Sequence, residues 1–211
     1  METLPGKTVE RLSQYRRRLL NSLDEDKEYI FSHELAEILN ITAVQVRRDL
    51  MLLGYSSVYR KGYPVRKLIE VIGKRLDSSK GQNVAIVGMG NLGTSLTHYL
   101  SGLRPKLHVV ASFDIDPGKI GTTVEGVKCY SVSEMKETIK SKNISIGVMT
   151  VPQDSAKEVA KELVNNGIKG IFNFTHIPLT VPPDVYLEEY DMLTSLEKVA
   201  YFVKKFASLR K

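Results

Sequence analysis

Three glycines raise the first chemical question. Gly88, Gly90 and Gly93 form G-x-G-x-x-G within "NVAIVGMGNLGTSLTHYL", residues 83–100. Alone the pattern is weak, but here it follows the apolar run "VAIV" and opens a helical stretch, the context in which such a loop binds a dinucleotide. The first glycine permits a tight turn, the second lets the backbone approach the pyrophosphate, and the third lets the helix pack on the strand. The helix N-terminus then faces the phosphate charge. The loop comprises Gly88, Met89, Gly90, Asn91, Leu92 and Gly93. Asp114 ends the next apolar run, "HVVASFD", 21 residues past Gly93. A carboxylate there accepts hydrogen bonds from the adenosine ribose and repels a 2′-phosphate, which favours NAD over NADP. Lys119, in "DPGKIG", is near enough to attract a phosphate. The other readings are a Rossmann sheet without a ligand and a site for another nucleotide such as coenzyme A.

A second chemistry lies upstream. Thr42 and Gln45 in "NITAVQVRRDLMLLG" match a capping box, in which the threonine caps a helix and the glutamine reaches back. Ala43, Val46, Leu50 and Leu53 form an apolar stripe, and Val44, Gln45, Arg47 and Arg48 fall on the opposite face. A helix that docks by one face and offers hydrogen bonders on the other suits the second helix of a helix-turn-helix, which enters the DNA major groove. Gln45 suits an adenine edge, and Arg47 or Arg48 a guanine or a phosphate. Thr42 and the helix N-terminus suit a phosphate oxygen. Residues 55–64, "YSSVYRKGYP", read as a hairpin, a wing carrying Arg60, Lys61 and Tyr63. The alternative is a small helical bundle with a solvated basic face.

The elements that must position these groups follow from periodicity. Leu12, Tyr15, Leu19 and Leu23 predict an amphipathic helix over 8–23. A second helix is expected to be capped by Ser32 and to end at Asn40, and Gly54 is placed to end the third. Pro64 leads a fourth with Val65, Leu68, Ile69, Ile72 and Leu76 inward. Residues 77–81, "DSSKG", read as a linker. Beyond it, strands are expected at 83–87, 107–113, 144–151, 169–173 and 185–189, and helices at 91–102, 132–141 and 153–166. That alternation implies an α/β fold with a doubly wound parallel sheet. A last helix, 194–207, carries a broad apolar face suited to the sheet or to a partner chain.

Composition narrows the class. The chain has 211 residues, 42% apolar and 26% charged, with a net charge of +6. Residues 42–75 hold eight Lys or Arg against Asp49 and Glu70, so this segment carries the whole excess. A compact basic segment in an otherwise neutral chain favours a polyanionic partner. No run suits a membrane span and the N-terminus lacks a signal-peptide core, so a cytoplasmic protein is expected. Cys129 is the one cysteine, with neither a disulfide partner nor zinc-ligand spacing, and no metal is expected. His33, His98, His108 and His176 show no evident partner arrangement, and about 35 residues follow residue 175, too few for a substrate domain. The chain therefore reads as one that binds a dinucleotide and reports on it, not as an enzyme. The alternatives are a NAD-dependent oxidoreductase with an N-terminal appendage and a DNA-binding sensor of coenzyme A or NADP.

The joint order of "RLSQYRR", "ITAVQVRRDLMLLG", "GYPV", "VAIVGMGNLGTSL", "SFDIDPGKIG", "TVPQDSAKEVAKELVNNGIKGIFNF" and "VPPDVYLEEYDML" resembles the bacterial Rex family of redox-sensing transcriptional repressors. The resemblance covers nearly the whole chain. It implies a homodimer with a winged-helix domain (residues 1–80), a Rossmann domain (81–193) and a C-terminal helix (194–211) that swaps between subunits. It also implies that NADH closes the dimer and releases a palindromic double-stranded operator, whereas NAD+ permits DNA binding. By position, Thr150, Val151 and Pro152 match the segment near the nicotinamide, and Asn173 and Phe174 the segment after the fifth strand. Arg17, Tyr99 and Asp191 match three residues of the family's switch, in which the arginine and the aspartate pair in the NADH form. The chain departs from the family in the wing. "SVYRKGY" puts Ser57, Tyr59 and Arg60 where glycine, arginine and glycine are usual. Met192 stands where an aromatic often approaches the nicotinamide, and His176 where proline is common. These departures bear on operator preference and on ligand response.

Overall fold

A computed structural model describes residues 3–55, 62–102 and 104–208. The chain divides into two units, Met1–Ser79 and Lys80–Lys211, at the segment that reads as a linker.

The first unit contains α1 (Gly6–Asp24), β1 (Tyr29–Ile30), α2 (Ser32–Leu39), α3 (Ala43–Leu52), β2 (Tyr63–Pro64) and α4 (Val65–Leu76). Leu12, Tyr15 and Leu19 of α1 face Leu35, Val46, Leu50, Leu68 and Ile72 in one core, all essentially inaccessible. α2 starts one residue earlier than expected. Phe31 is its N-cap, because Glu34 reaches back and its Oε2 accepts the Phe31 N–H at 2.7 Å. Thr42 caps α3 as expected, accepting the Gln45 N–H at 3.1 Å, but the capping box is not completed, because the Gln45 side chain donates to Asp49 and does not reach back. α3 ends in a Schellman motif. Gly54 has φ +69°, its N–H donates to Met51 O, and the Tyr55 N–H donates to Leu50 O. The expected 55–64 hairpin is replaced, over its described part, by a different pairing. β2 pairs antiparallel with β1, Ile30 opposite Tyr63.

The second unit is a seven-stranded sheet. Its strands are β3 (Gln82–Val87), β4 (Leu107–Asp114), β5 (Thr123–Val124), β6 (Val127–Ser131), β7 (Ile144–Met149), β8 (Gly170–Asn173) and β9 (Tyr186–Glu189). The order is β5-β6-β4-β3-β7-β8-β9, parallel throughout except for the β5–β6 hairpin. That hairpin was not expected from sequence. It turns on Glu125 and Gly126, both at positive φ, as a type I′ turn requires. The helices are α5 (Asn91–Leu100), α6 (Met135–Ser141), α7 (Ala156–Asn165) and α8 (Met192–Ser208). On β3, Ala85 and Val87 belong to one core cluster and Val84 and Ile86 to another, so both faces of the sheet are covered. β3 is flanked by β4 on one side and β7 on the other. The carboxyl end of β3 is therefore the topological switch point, where doubly wound sheets bind ligands.

Candidate dinucleotide cleft and helix-turn-helix surface

At that switch point the chain opens a cleft of about 690 Å³, lined by Gly88, Gly90, Asp114, Thr150, Val151 and Pro152 among others. The three glycines are fixed by different demands. Gly88 has φ +94°, and a Cβ there would stand 2.8 Å from Thr150 O. A Cβ on Gly93 would stand 1.9 Å from Gly88 O. Gly90 is the exception, with no protein atom within 4 Å of an added Cβ. Nothing inside the chain crowds that position, so the backbone there is open to the cleft. Gly90 is also the N-cap of α5, and no side chain caps that end. The uncapped first turn carries the positive end of the helix dipole. Thr150 buttresses the turn, its hydroxyl lying 2.7 Å from Gly88 O and 3.1 Å from Val87 O. Met89 is buried and supplies its backbone N–H, Asn91 is exposed and Leu92 half-buried.

Asp114 closes the loop from the other side. Its Oδ2 accepts the Met89 N–H at 2.6 Å and lies 3.2 Å from Lys119 Nζ, and its Oδ1 accepts the Asp116 N–H at 2.9 Å. Burial pushes its pKa up. The Asp116 and Met89 amides and the Lys119 ammonium outweigh burial and hold it below the usual carboxylate range. An ionised carboxylate at the end of β4 is a hydroxyl acceptor ready for a ribose.

Of the residues expected at the cofactor, Met89, Asn91, Leu92 and Gly93 of the loop and Asn173, Phe174 and Met192 beyond it are not among those lining the cleft. Asn173 is fully buried and its side chain works within the chain. Its Oδ1 accepts from Thr175 N–H and Oγ1, and its Nδ2 donates to Ile177 O at 3.0 Å. It thus holds the turn after β8, from which Phe174 packs on Phe172 and Tyr190 at centroid distances of 4.3 and 5.5 Å. Met192 is the first residue of α8 and is exposed. Sequence reasoning passed over Ile115, Ser155 at the N-cap of α7 and the α7 residues Glu158 and Glu162, which also line the cleft. Nothing in their spacing marked them.

In the first unit Val44, Arg47 and Arg48 lie exposed along α3, and Thr42 is exposed at its start. Arg47 Nη1 also reaches Ser32 Oγ at 3.1 Å. Two expectations for this surface need correction. Gln45 does not present its amide outward, because Nε2 donates to Asp49 Oδ1 at 2.9 Å. Tyr63 is not on a wing surface but 7% exposed in the core, drawn in by the β1–β2 pairing, with burial raising its pKa. Arg60 and Lys61, with the altered wing residues Ser57 and Tyr59, lie outside the described residues.

Asp49 was not anticipated as a key residue. It is 1% exposed, and both oxygens are engaged, by Arg11 Nε and Nη2, Tyr15 Oη and Gln45 Nε2 at 2.6–2.9 Å. Burial pushes its pKa up, but these donors outweigh burial and lower it. The one hint in the sequence was an acid four residues past Gln45 in an otherwise basic helix.

Of the expected switch residues, Arg17 and Tyr99 are exposed. Asp191 caps α8, accepting the Leu193 and Thr194 N–H groups at 2.9 and 3.2 Å and the Thr194 hydroxyl at 2.6 Å. Those Thr194 donors chiefly lower its pKa. His176 Nδ1 lies 3.4 Å from Asp191 Oδ1, so this histidine does have a partner. α8 itself exposes Leu196, Val199, Phe202, Val203 and Phe206. Among the described residues no helix is long and apolar enough to cross a membrane, and no group of three or more His, Cys, Asp or Glu is placed to hold a metal ion.

A nucleotide cleft at a Rossmann switch point, in one chain with a helix-turn-helix unit, defines a ligand-responsive transcription regulator. Comparisons with known proteins agree unit by unit. Residues 79–177 match the family described as "CoA binding domain", and residues 3–50 match "Putative DNA-binding protein N-terminus". The redox-sensing transcriptional repressor Rex of Lactobacillus gasseri is 37% identical over 200 residues, covering 95% of this chain and 94% of that protein. Rex of Listeria welshimeri is 34% identical over 204 residues, covering 96% and 94%. The crystal structure of RSP, a Rex-family repressor, superposes with a TM-score of 0.88 at 33% identity, covering 100% of this chain and 99% of that one. The RSP complex with β-NAD+ and operator DNA superposes with a TM-score of 0.89 at 33% identity, covering 100% of this chain and 97% of that one. The chain belongs to the Rex family of redox-sensing transcriptional repressors.

Proposed function

We propose that this protein is a cytoplasmic repressor that binds a palindromic operator as a homodimer and leaves it when NADH fills the cleft. The observation that carries the reading is the vacancy around Gly90 beside an ionised Asp114. RSP, alike over the full length, has been crystallised with β-NADH and with β-NAD+ plus operator DNA. In this reading Gly88–Gly93 hold the pyrophosphate, Asp114 the adenosine ribose, and Thr150, Val151 and Pro152 flank the nicotinamide. Val44, Arg47 and Arg48 face DNA, and the apolar face of residues 194–211 meets a second subunit. Arg17 and Asp191 pair in the NADH form, so Asp191 would serve both the α8 cap and the switch. No hydride acceptor or proton relay is needed, because the ligand acts through its differential affinity for two dimer states.

The test is fluorescence anisotropy of a labelled Rex-type palindrome at fixed salt, with NAD+, NADH, NADPH or coenzyme A added. NADH alone should reverse binding, and the Arg48→Ala variant should bind DNA more weakly while binding NADH normally. Release by coenzyme A in place of NADH would assign the cleft to the ligand for which its matching family is named. Operator binding that no nucleotide alters would overturn the sensor reading.

A further inference from the structure

We infer that Lys119 sets the dinucleotide selectivity of the cleft: by holding Asp114 it weakens the grip on an unphosphorylated adenosine ribose and softens the rejection of a 2′-phosphorylated one. The inference rests on the dinucleotide reading above and names the residue that tunes it.

The argument is one of acceptor capacity. A carboxylate offers about four acceptor sites, two on each oxygen. In Asp114, Oδ2 is filled by the Met89 N–H at 2.6 Å and by Lys119 Nζ at 3.2 Å. Oδ1 accepts the Asp116 N–H at 2.9 Å and has one site left. The Met89 amide is part of the glycine loop and stays. A ribose diol brings two hydroxyl donors, so one finds a place at once and the other must displace Lys119. The ammonium therefore competes with the ligand it sits beside.

The loop around Lys119 holds its backbone, while its ammonium is held by Asp114 alone within hydrogen-bond reach and can turn away. The Lys119 and Ile120 N–H groups donate to Asp116 O at 3.0 and 3.2 Å, and Thr122 Oγ1 donates to Lys119 O at 2.6 Å. Asp116 Oδ1 is taken by the Gly118 N–H at 2.9 Å. Asp116 Oδ2 stands 3.7 Å from Lys119 Nζ, beyond hydrogen-bond reach but close enough to receive it. Lys119 is 38% exposed, so the tip can turn without opening the core. A ribose 2′-phosphate meets the opposite balance. Asp114 and Asp116 repel it, and Lys119 is the cation beside them.

The test is isothermal titration calorimetry of the full chain with NADH and with NADPH, wild type against Lys119→Met, at one salt concentration. An exposed ion pair changes affinity by modest factors, so the variant should bind NADH about three- to fivefold tighter and NADPH weaker by a similar factor. The NADPH-to-NADH ratio of Kd should therefore rise roughly tenfold. The effect of the lost charge on the shared diphosphate cancels in that ratio, and tighter NADH binding is an outcome that a mere loss of positive charge would not give. NADH binding that is unchanged or weaker in the variant, or an unchanged ratio, overturns the inference while the wild-type NADH isotherm upholds the site. Absence of any NADH isotherm in the wild type overturns the dinucleotide reading and this inference with it.

Discussion

Two buried aspartates, one in each unit, do opposite work. Asp49 is 1% exposed and Asp114 8%, and in both burial raises the pKa and hydrogen-bond donors more than reverse it. Asp49 has its four acceptor sites filled by Arg11, Tyr15 and Gln45, all from its own unit. Asp114 has three filled, one of them by a lysine that can leave, and it opens on a cleft. The saturated carboxylate fixes α3 against α1 and so positions the exposed α3 side chains that we propose face DNA. The unsaturated one is, in the proposed reading, left to accept from a ligand. A carboxylate's remaining capacity, more than its burial or its charge, separates the structural group from the binding one.

The sharpest way to break this contrast is at the saturated site. Asp49→Asn leaves Arg11 without its counter-ion and should cost the first unit about 3 kcal/mol in chemical denaturation at pH 7. NADH affinity should stay unchanged. The folded-state pKa of Asp49 is depressed, so its contribution is present above the unfolded value of about 3.9 and is lost as pH falls through the folded value. The stability gap between wild type and variant should therefore close on acidification below about pH 4. A gap that persists there would mean the charge is not what Asp49 supplies.

Next in size is the glycine loop. Gly93→Ala drives a Cβ to 1.9 Å from Gly88 O and should destabilise the second unit by about 2 kcal/mol through overpacking. Gly90→Ala meets no protein atom within 4 Å, so its melting temperature should hold while NADH affinity falls. The reverse pattern would place the steric demand inside the chain. Comparable in size is Asp114→Ala. Losing charge-assisted bonds to the ribose should weaken NADH by about 2 kcal/mol, roughly thirtyfold, read by calorimetry. An unchanged NADH affinity would make Asp114 a second Asp49, structural only.

Much of this was legible in the sequence, and most of what was missed has a common cause. The Thr42 cap is a local contact, and the glycine motif and the strand–helix alternation are local patterns that turn chemistry and periodicity encode, although the loop's own partners, Asp114 and Thr150, and the strand pairings are remote in sequence. The Asp49 cluster joins α3 to Arg11 and Tyr15, 38 and 34 residues away, and no local pattern announces it. Gln45 was read as outward-facing although its partner, Asp49, lies one helical turn on, because that spacing permits the bond without requiring it. Tyr63 was assigned to a wing because its strand partner, Ile30, is equally remote in sequence. The β5–β6 hairpin did leave a trace, a glutamate–glycine pair between valines, but strands of two and five residues give periodicity little to work with. Asn173 was recognised as important by position, whereas its saturated hydrogen bonding could be seen only in the fold.

The central claim is that the cleft and the DNA-facing surface are linked. Linkage is reciprocal, so the most direct test is to titrate NADH into the free protein and into protein saturated with operator. The account predicts that operator weakens NADH binding by the same factor by which NADH weakens operator binding, about tenfold for each 1.4 kcal/mol of coupling. Equal NADH affinity with and without operator would contradict it.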